Sequence, residues 1–199
     1  MQEIEFFYDF GSPNAYLVHC TLPGLAARHQ AQVIYHPMLL GGVFKATNNQ
    51  SPFQAFSAVT HKLGYIGREV ARFCERYDLP FVMNPHFPIN TLRLMRGAIF
   101  AQGHSWGRAY IDAVFNAIWL EERDMNNPDI VQEVLSKAGL PVDDILQAAQ
   151  DPAVKQALIG ATEDAVAAGV FGAPSMIVKG ELFFGKDSLD DLDWRLAQA

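Results

Sequence analysis

Residues 6–16, with the sequence FFYDFGSPNAY, constrain the fold of this chain more than any other stretch. The aromatic first half is typical of a buried strand, and Gly-Ser-Pro would turn that strand directly into a helix. Ser12 is then predicted as the N-cap of the helix and Pro13 as its first residue. The first turn of a helix carries unpaired backbone N–H groups and a partial positive charge. A hydroxyl held there can donate to an anion such as a thiolate, although the same residues also make an ordinary helix cap.

The chain on either side of this turn predicts two halves of an α/β domain. A strand over 4–9, a helix over 14–29 and a strand over 32–37 form a β-α-β unit, whose crossover makes the two strands parallel. Near the C-terminus the pattern predicts the order α-β-β-α. These elements are a helix over 152–168, strands over 175–179 and 181–184, and a helix over 187–198.

The intervening region predicts a helical unit. From about residue 51 to residue 150 nearly every segment has helical periodicity, strongest over 67–77, 91–103, 106–121, 129–138 and 142–149. Residues 41–60 are rich in Gly, Asn, Ser and Pro and are expected to form a long loop, and the proline-rich residues 79–88 are expected to be irregular. We therefore expect an α/β domain from residues 1–45 and 156–199, a mixed β-sheet flanked by helices, with an all-helical domain of residues 46–155 inserted.

Composition indicates which partners the protein can bind and in which compartment it is expected. The 199 residues carry a formal net charge of -7, which argues against nucleic acid as a partner. No stretch approaches the ~20 apolar residues of a membrane span, and the N-terminus lacks the basic region of a signal peptide, so we expect a cytoplasmic protein without membrane contact. The cysteines, Cys20 and Cys74, match no redox or zinc spacing and are expected in the core. The histidines form no metal-binding pair, and no metal is expected.

The order of elements resembles the thioredoxin fold with a helical domain inserted between its halves. Such an insertion is similar to that of the periplasmic disulfide oxidoreductases, which carry Cys-x-x-Cys at the start of the first helix. Residues 12–15 of this chain, Ser-Pro-Asn-Ala, occupy that position, and both sulfurs are missing. Dithiol exchange by this motif is therefore excluded.

Three motifs indicate which thioredoxin-like proteins the chain resembles most. Residues 6–16, 170–175 (VFGAPS) and 183–187 (FFGKD), in this order and spacing, resemble the 2-hydroxychromene-2-carboxylate isomerases and the kappa-class glutathione transferases. Residues 114–119 (VFNAIW) resemble the isomerase branch. The resemblance covers nearly the whole chain. It implies that glutathione is the cofactor, that the substrate is a small aromatic carboxylate and that the protein is a homodimer.

The resemblance assigns the sulfur site to the start of the first helix. Ser12 matches the serine that hydrogen-bonds the glutathione sulfur, and we assign it as a donor rather than as a nucleophile. Pro174 matches the cis-proline of thioredoxin-like folds. A cis Ala173–Pro174 bond would let the Ala173 backbone pair with the cysteinyl part of glutathione, as an added strand does. A trans proline that ends a loop is the alternative.

At the other end of the cofactor, Asp187 matches the acid that receives the γ-glutamyl ammonium. Its neighbours depart from the family, because Lys186 stands where a small or polar residue is usual and Ser188 where arginine is frequent. All three are assigned to glutathione binding, and the contact to the γ-glutamyl carboxylate stays open. Without the resemblance, Lys186 and Asp187 would be interpreted as a solvated helix cap.

The insertion supplies further candidates through the resemblance alone. Asn49 matches an asparagine of the active-site loop and is assigned to both glutathione and substrate, and Lys62 resembles the lysine that can reach the glycyl carboxylate. Lys45 lies near an isomerase lysine that binds the substrate carboxylate. Phe87 falls where an isomerase tyrosine contacts the substrate, so the pocket would lose a hydroxyl, and Asn90 is expected to line the same pocket. Loop or surface roles are the alternative for all five.

The first hypothesis is a glutathione-dependent isomerase that interconverts 2-hydroxychromene-2-carboxylate, or a related aromatic compound, and trans-o-hydroxybenzylidenepyruvate. The resemblance implies thiolate addition, bond rotation and elimination. The nearest alternative is a kappa-class-like transferase, which joins glutathione to an electrophile and consumes it. The second alternative is a non-catalytic thioredoxin-like module that binds thiols or peptides.

Overall fold

A four-stranded mixed sheet forms the centre of the α/β part, in a computed structural model that describes residues 2–198. The strands are β1 (Glu3–Tyr8), β2 (Gln32–Pro37), β3 (Ser175–Val178) and β4 (Glu181–Phe184). Their order across the sheet is β2-β1-β3-β4. β1 and β2 are parallel, with Glu3 opposite Gln32, and the other neighbours are antiparallel. The predicted α/β class and the mixed sheet of a thioredoxin-like fold are confirmed.

Helices connect the strands and make up most of the chain between β2 and β3. They are α1 (Pro13–Arg28), α2 (Leu40–Thr47), α3 (Pro52–Ala55), α4 (Lys62–Tyr77), α5 (Leu92–Ala101), α6 (Gly107–Trp119), α7 (Pro128–Lys137), α8 (Val142–Ala148), α9 (Pro152–Ala167) and α10 (Leu189–Ala197). A 3-10 turn over Lys186–Ser188 leads into α10. Between residues 2 and 198, no helix combines the length and the apolar character that crossing a membrane requires.

Four of these helices begin with the same local signal. Each has proline as its first residue and a preceding side chain that accepts a hydrogen bond from a backbone N–H of the first turn. The four N-cap residues are Ser12, Ser51, Asn127 and Asp151. Proline fits this position because its missing N–H would have no partner inside the helix, and its fixed φ suits the first turn.

Alternate residues of β1 face opposite sides of the sheet, as the pleat requires. Ile4, Phe6 and Tyr8 are buried in the main core, whereas Phe7 packs in a smaller cluster against the α9 side. The main core also contains Phe115 of α6 and ten or more other residues of the helices between β2 and β3. The sheet and these helices therefore share one core.

The expectation of a long loop over residues 41–60 is wrong, because α2 and α3 lie there. Val43 of α2 is buried in the smaller cluster, and Gly42 lets α2 approach Thr162 of α9, since a Cβ at Gly42 would lie 3.0 Å from Thr162 Cγ2. One of the two glycines that make this segment resemble a loop, Gly42, is thus used for close packing, whereas a Cβ at Gly41 would meet nothing within 4 Å. Tertiary contacts of this kind override a weak intrinsic helix propensity.

Two helix starts also differ from the prediction. α4 begins at Lys62, ahead of the predicted residue 67, because Gly64 and Gly67 obscure the periodicity although both point to open space. α10 begins at Leu189, after the 3-10 turn, rather than at residue 187. The remaining predicted strands and helices agree with the observed bounds to within two residues, and the chain between α4 and α5 is irregular as expected.

Candidate functional site

Ser12 lies at the start of α1 as the sequence predicts. Its Oγ accepts a hydrogen bond from the Ala15 N–H at 3.2 Å and donates one to the Ala173 carbonyl oxygen at 3.0 Å. The Ala173–Pro174 bond is cis, which confirms the prediction, and the residue after it starts β3. Two distant segments of chain are thereby joined through one hydroxyl that is only 5% exposed.

Asp9 holds the turn that presents this serine. One carboxylate oxygen accepts from the Gly11 N–H at 2.8 Å and from the Thr91 hydroxyl at 2.7 Å, and the other accepts from the Leu40 N–H at 2.8 Å. Burial raises the pKa of Asp9, and these hydrogen bonds oppose that rise. Leu39 gives α2 no side-chain cap, so Asp9 also serves the first N–H of α2. Sequence reasoning missed this role, although a carboxylate inside an aromatic strand was the available signal.

Aromatic rings of the insertion pack beside the same turn. Trp119 is fully buried and its Nε1 donates to the Phe10 carbonyl oxygen at 2.8 Å. The Phe87 ring, half-buried, lies 6.0 Å from the Trp119 ring and 4.8 Å from Phe53 of α3, measured between centroids. The structure therefore brings Phe87 to the site through Trp119, which sequence reasoning had placed in a motif without a role.

Asn49 reaches the loop that precedes cis Pro174. Its side-chain amide donates to the Phe171 carbonyl oxygen at 2.8 Å, and its oxygen accepts from the Gln50 N–H at 2.8 Å. Asn49 follows α2, whose first residue is bound by Asp9, so α2 spans from the Ser12 turn to the cis-proline loop. The structure therefore places Asn49 against Phe171, two residues before Ala173, and the role of Asn49 in ligand binding stays a prediction.

Lys186 and Asp187 form a pair in the turn before α10. The Lys186 side chain is 4% exposed and the Asp187 side chain 77% exposed, and the ammonium donates to the carboxylate. The Lys186 ammonium also lies 5.3 Å from the centroid of the Phe73 ring of α4. The alternative of a solvated cap is therefore wrong for Lys186. The Ser188 hydroxyl donates to the Gly185 carbonyl oxygen at 2.8 Å and stabilises the turn.

Three of the predicted site residues lie apart from this group. Lys45 lines a groove between α2, α5 and α9, and Asn90 lines a cavity of about 710 Å³ between α5, α7 and α8. The Lys62 ammonium lies 5.4 Å from the ring centroid of Phe56 and 5.5 Å from that of Tyr65. Within residues 2–198, none of the three forms a hydrogen bond or ion pair with the N-cap serine or the cis-proline loop.

The two cysteines of the chain are poor sources of a thiolate. Cys20 and Cys74 are free and half-buried, and they pack against the main core without being part of its buried interior, where the sequence predicted them. Burial raises the pKa of both thiols, which favours the protonated, unreactive form. In the described part of the chain, His, Cys, Asp and Glu side chains form no group of three that could hold a metal ion. A thiolate at Ser12 would therefore have to come from a ligand.

A mixed sheet of this topology, a cis proline beside the first helix and a serine at that helix start define a thioredoxin-fold protein without the dithiol. Residues 3–197 match the family model described as the DSBA-like thioredoxin domain. The chain belongs to that family.

Individual relatives agree with the resemblance seen in the sequence. A 2-hydroxychromene-2-carboxylate isomerase of Sphingobium xenophagum is 28% identical over 193 residues, which cover 96% of this chain and 95% of the relative. Glutathione S-transferase kappa 1 of Rattus norvegicus is 23% identical over 210 residues, covering 98% and 91%. A solved 2-hydroxychromene-2-carboxylate isomerase structure superposes with a TM-score of 0.87 at 26% identity, covering 98% of this chain and 95% of that one. The predicted resemblance is confirmed.

Proposed function

We propose that this protein is a glutathione-dependent isomerase of small aromatic carboxylates, of the kind that interconverts 2-hydroxychromene-2-carboxylate and trans-o-hydroxybenzylidenepyruvate. The observation that carries the proposal is the Ser12 hydroxyl at the start of α1, 3.0 Å from the carbonyl oxygen of Ala173, which precedes cis Pro174. The Sphingobium xenophagum isomerase supports the reaction type, since it aligns with 96% of this chain.

The residues at the start of α1 fit a thiolate ligand. Ser12 provides a hydroxyl proton, the Asn14 N–H has no partner among the described residues, and the helix adds positive potential. The side-chain oxygen of Asn14 is also buried without a partner in that part of the chain. Buried polar atoms normally find a partner, and this oxygen is an acceptor, so it supports a ligand site through an N–H donor of the ligand and not through the sulfur.

The energies favour a donor role for Ser12. A thiol with an ordinary pKa of about 8.5 needs a decrease of ~2 pH units, or about 2.7 kcal/mol, to be mostly ionised at neutral pH. A helix N-terminus contributes about 0.3–1 kcal/mol, up to ~2 when partly buried, and a hydrogen bond to a charged group about 1.5–3 kcal/mol. The two together meet the requirement. When bound, glutathione supplies a thiolate that adds to a conjugated carbon of the substrate and leaves after rotation about the former double bond.

We propose that the Ala173 carbonyl oxygen links binding of the glutathione backbone to the hydrogen bond between Ser12 and the sulfur. Ser12 has a single proton, and that proton is directed at the Ala173 carbonyl oxygen. In the proposed complex the same oxygen accepts the N–H of the cysteinyl residue. Once that N–H is in place, the Ser12 hydroxyl can turn to the sulfur without leaving a carbonyl unpaired. A thiol without a peptide backbone therefore gains less from Ser12 than glutathione does.

The Lys186–Asp187 pair complements the γ-glutamyl end of glutathione, which carries one ammonium and one carboxylate. Asp187 is exposed and accepts the ligand ammonium, and Lys186 supplies the cation beside it. Lys186 is 4% exposed and its ammonium is bound to Asp187, so we propose that it acts on the ligand through Asp187 and does not take the place of the arginine that relatives often carry at the position of Ser188. The Ser188 hydroxyl is engaged with Gly185, so it binds the ligand only through the turn it stabilises.

Half-buried aromatic rings next to the Ser12 turn support an aromatic substrate. The Phe87 ring packs at a tilt against both Phe53 and Trp119, and it presents no phenolic hydroxyl. Asn49 lies at the cis-proline loop and is proposed to contact both ligands. The assignments of Lys45 and Asn90 to the substrate and of Lys62 to the glycyl carboxylate stay predictions.

Thiol stoichiometry tests the proposal. With 2-hydroxychromene-2-carboxylate as substrate, we expect catalytic amounts of glutathione to start interconversion, followed by absorbance, while titration of free thiol stays constant over many turnovers. Heat-inactivated protein with the same glutathione controls for the uncatalysed reaction. Full activity in the absence of any thiol would contradict the proposal.

A kappa-class-like transferase is the second candidate, favoured by the rat relative that aligns with 98% of this chain. It predicts loss of one thiol for each product formed with an electrophile such as 1-chloro-2,4-dinitrobenzene. The third candidate, a non-catalytic module, predicts binding of an extended peptide with no binding of glutathione in calorimetry.

The proposal also covers the compartment, the oligomeric state and the domain boundaries. We propose a cytoplasmic homodimer, for which the glutathione requirement and the resemblance are the support. We also propose a thioredoxin-like domain of residues 1–45 and 156–199 with an inserted helical domain of residues 46–155. Both boundaries fall inside helices, α2 and α9, so these two helices connect the units.

A further inference from the structure

A groove outside the Ser12 site runs between α2, α5 and α9. Its volume is about 700 Å³, within the range of ~300–1,000 Å³ typical of small-molecule sites. The apolar lining comes from all three helices and the residue before α2, and Ile159 is 49% exposed within it. The main apolar lining residues are Leu39, Leu92, Leu158, Ile159 and Val166.

Three cations border this apolar surface: Lys45 of α2, Arg96 of α5 and Lys155 of α9. Among residues 2–198, none of them forms an ion pair within 4.0 Å. Glu163 is the carboxylate in the lining, and it is likewise without an ion pair in the described chain. The rim of the groove is therefore cationic, although the formal net charge of the whole protein is -7.

Arg96 is the cation of this groove that has a buried nitrogen without a hydrogen-bond partner among residues 2–198. Its Nε is buried without a hydrogen-bond partner among the described residues, and its Nη1 reaches only the Ala149 carbonyl oxygen at 3.5 Å. A buried guanidinium nitrogen without an acceptor is costly, and a planar carboxylate or sulfonate is the acceptor that arginine binds best. Leu92 and Arg96 also line the neighbouring cavity of about 710 Å³, so Arg96 lies where the two spaces meet.

We propose that this groove is a second ligand site, which binds an amphipathic organic anion: one carboxylate or sulfonate on an aromatic or aliphatic body. Arg96 binds the anionic group, Lys155 and Lys45 add positive potential, and Leu158 and Ile159 contact the apolar body. Ser12, Asn49, Ala173 and the Lys186–Asp187 pair are not part of the lining. The groove is therefore separate from the Ser12 site, and Lys45, which the resemblance assigns to the isomerase substrate, is the one residue that the two proposals share.

The test uses two fluorescent probes of similar shape, the anion 8-anilinonaphthalene-1-sulfonate and the neutral N-phenyl-1-naphthylamine. We expect saturable binding of the anion, with about tenfold weaker binding in Lys155→Gln and Arg96→Gln and a smaller loss in Arg96→Lys. Lys179→Gln removes an exposed lysine on the β3–β4 turn and is the matched control, for which we expect unchanged affinity. The neutral probe is expected to bind the parent less tightly than the anion does.

Competition by glutathione and further variants test whether the anionic probe binds in the groove. Excess glutathione and the variant Ser12→Ala are expected to leave binding of the anionic probe unchanged, and displacement by glutathione would overturn the proposal. Equal affinity in the parent, Lys155→Gln and Arg96→Gln would overturn it as well. If Arg96→Gln does not fold, Lys155→Glu reverses a charge at the rim of the groove and is expected to abolish binding of the anion at low salt.

Discussion

At the scale of single residues, Ser12 uses the two sides of its hydroxyl for different purposes. A lone pair accepts the Ala15 N–H and caps α1, and the proton points to the Ala173 carbonyl oxygen. Because capping uses only the lone pair, the proton can be redirected to a ligand sulfur while the helix keeps its cap. This division explains how a structural residue can also be a catalytic donor.

Ser12→Ala is expected to raise the pKa of the bound glutathione thiol by about one to two units, because a charge-assisted hydrogen bond of about 1.5–3 kcal/mol is lost. The thiolate absorbance near 240 nm, titrated on the complex, measures this pKa. Asn127→Ala is the matched control, since it also removes a side-chain cap in front of a proline, that of α7. A titration curve of Ser12→Ala that coincides with the parent would remove Ser12 from the mechanism.

The site residues that the sequence predicts depend on neighbours in the chain, whereas those it misses depend on distant ones. Ser12 and Pro174 belong to short motifs whose turn chemistry can be interpreted locally, and both predictions of backbone geometry are confirmed. Asp9 and Trp119 act on the same turn, but their partners lie far away in the chain, at Leu40, Thr91 and Phe10. Periodicity and spacing carry no information about partners so distant in the chain, so only the structure identifies them.

At the scale of elements, glycines decide how closely helices approach. Gly97 of α5 faces Tyr110 of α6, whose hydroxyl donates to the Leu94 carbonyl oxygen at 2.8 Å. A Cβ at Gly97 would overlap that hydroxyl. The same use of glycine in α2 made the sequence resemble a loop, which is why that element was missed while the amphipathic helices of the insertion were found.

Gly97→Ala is expected to lower the free energy of unfolding by about 1–3 kcal/mol, the usual cost of overpacking a core. Urea unfolding followed by circular dichroism measures the change. Gly24→Ala in α1 is the matched control, because a Cβ there meets nothing within 4 Å and alanine favours a helix by up to about 1 kcal/mol. Equal stability of Gly97→Ala and Gly24→Ala would contradict the proposed contact between α5 and α6.

At the scale of the whole molecule, a polar network joins the sheet to the insertion. His19 of α1 lies 2.9 Å from Asp112 and 3.1 Å from the Tyr35 hydroxyl, and Arg108 donates to both Asp112 and Tyr35. Burial lowers the pKa of His19, against the effect of its hydrogen bond to Asp112. Burial alone would raise the pKa of Asp112, but hydrogen bonds from His19 and Arg108 hold it below the ordinary value.

These shifts predict a loss of stability on acidification. Because the pKa of His19 is lower in the folded state than its ordinary value of 6.5, the unfolded chain takes up the proton first, and stability falls as the pH decreases below about 6.5. The contribution of Asp112, whose folded pKa is lowered, is lost at more acidic pH, below about 4. Urea midpoints between pH 8 and pH 5 measure the first effect.

His19→Gln is expected to flatten this dependence between pH 6.5 and pH 5. Part of it remains, because burial also lowers the pKa of His36. The control is His104→Gln, which replaces an exposed histidine and is expected to keep the pH dependence of the urea midpoint seen in the parent. An unchanged slope in His19→Gln would show that the network does not couple protonation to unfolding.

The anchoring of the Ser12 turn by Asp9 and Trp119 has a consequence for exchanging parts between relatives. The turn belongs to the α/β half, yet its fastening points, the Thr91 hydroxyl and the Trp119 indole, belong to the other half. A chimaera that receives a foreign helical portion will align its serine only if the donor brings equivalents of both side chains. A new substrate preference can therefore be transferred to this scaffold only together with these two remote side chains.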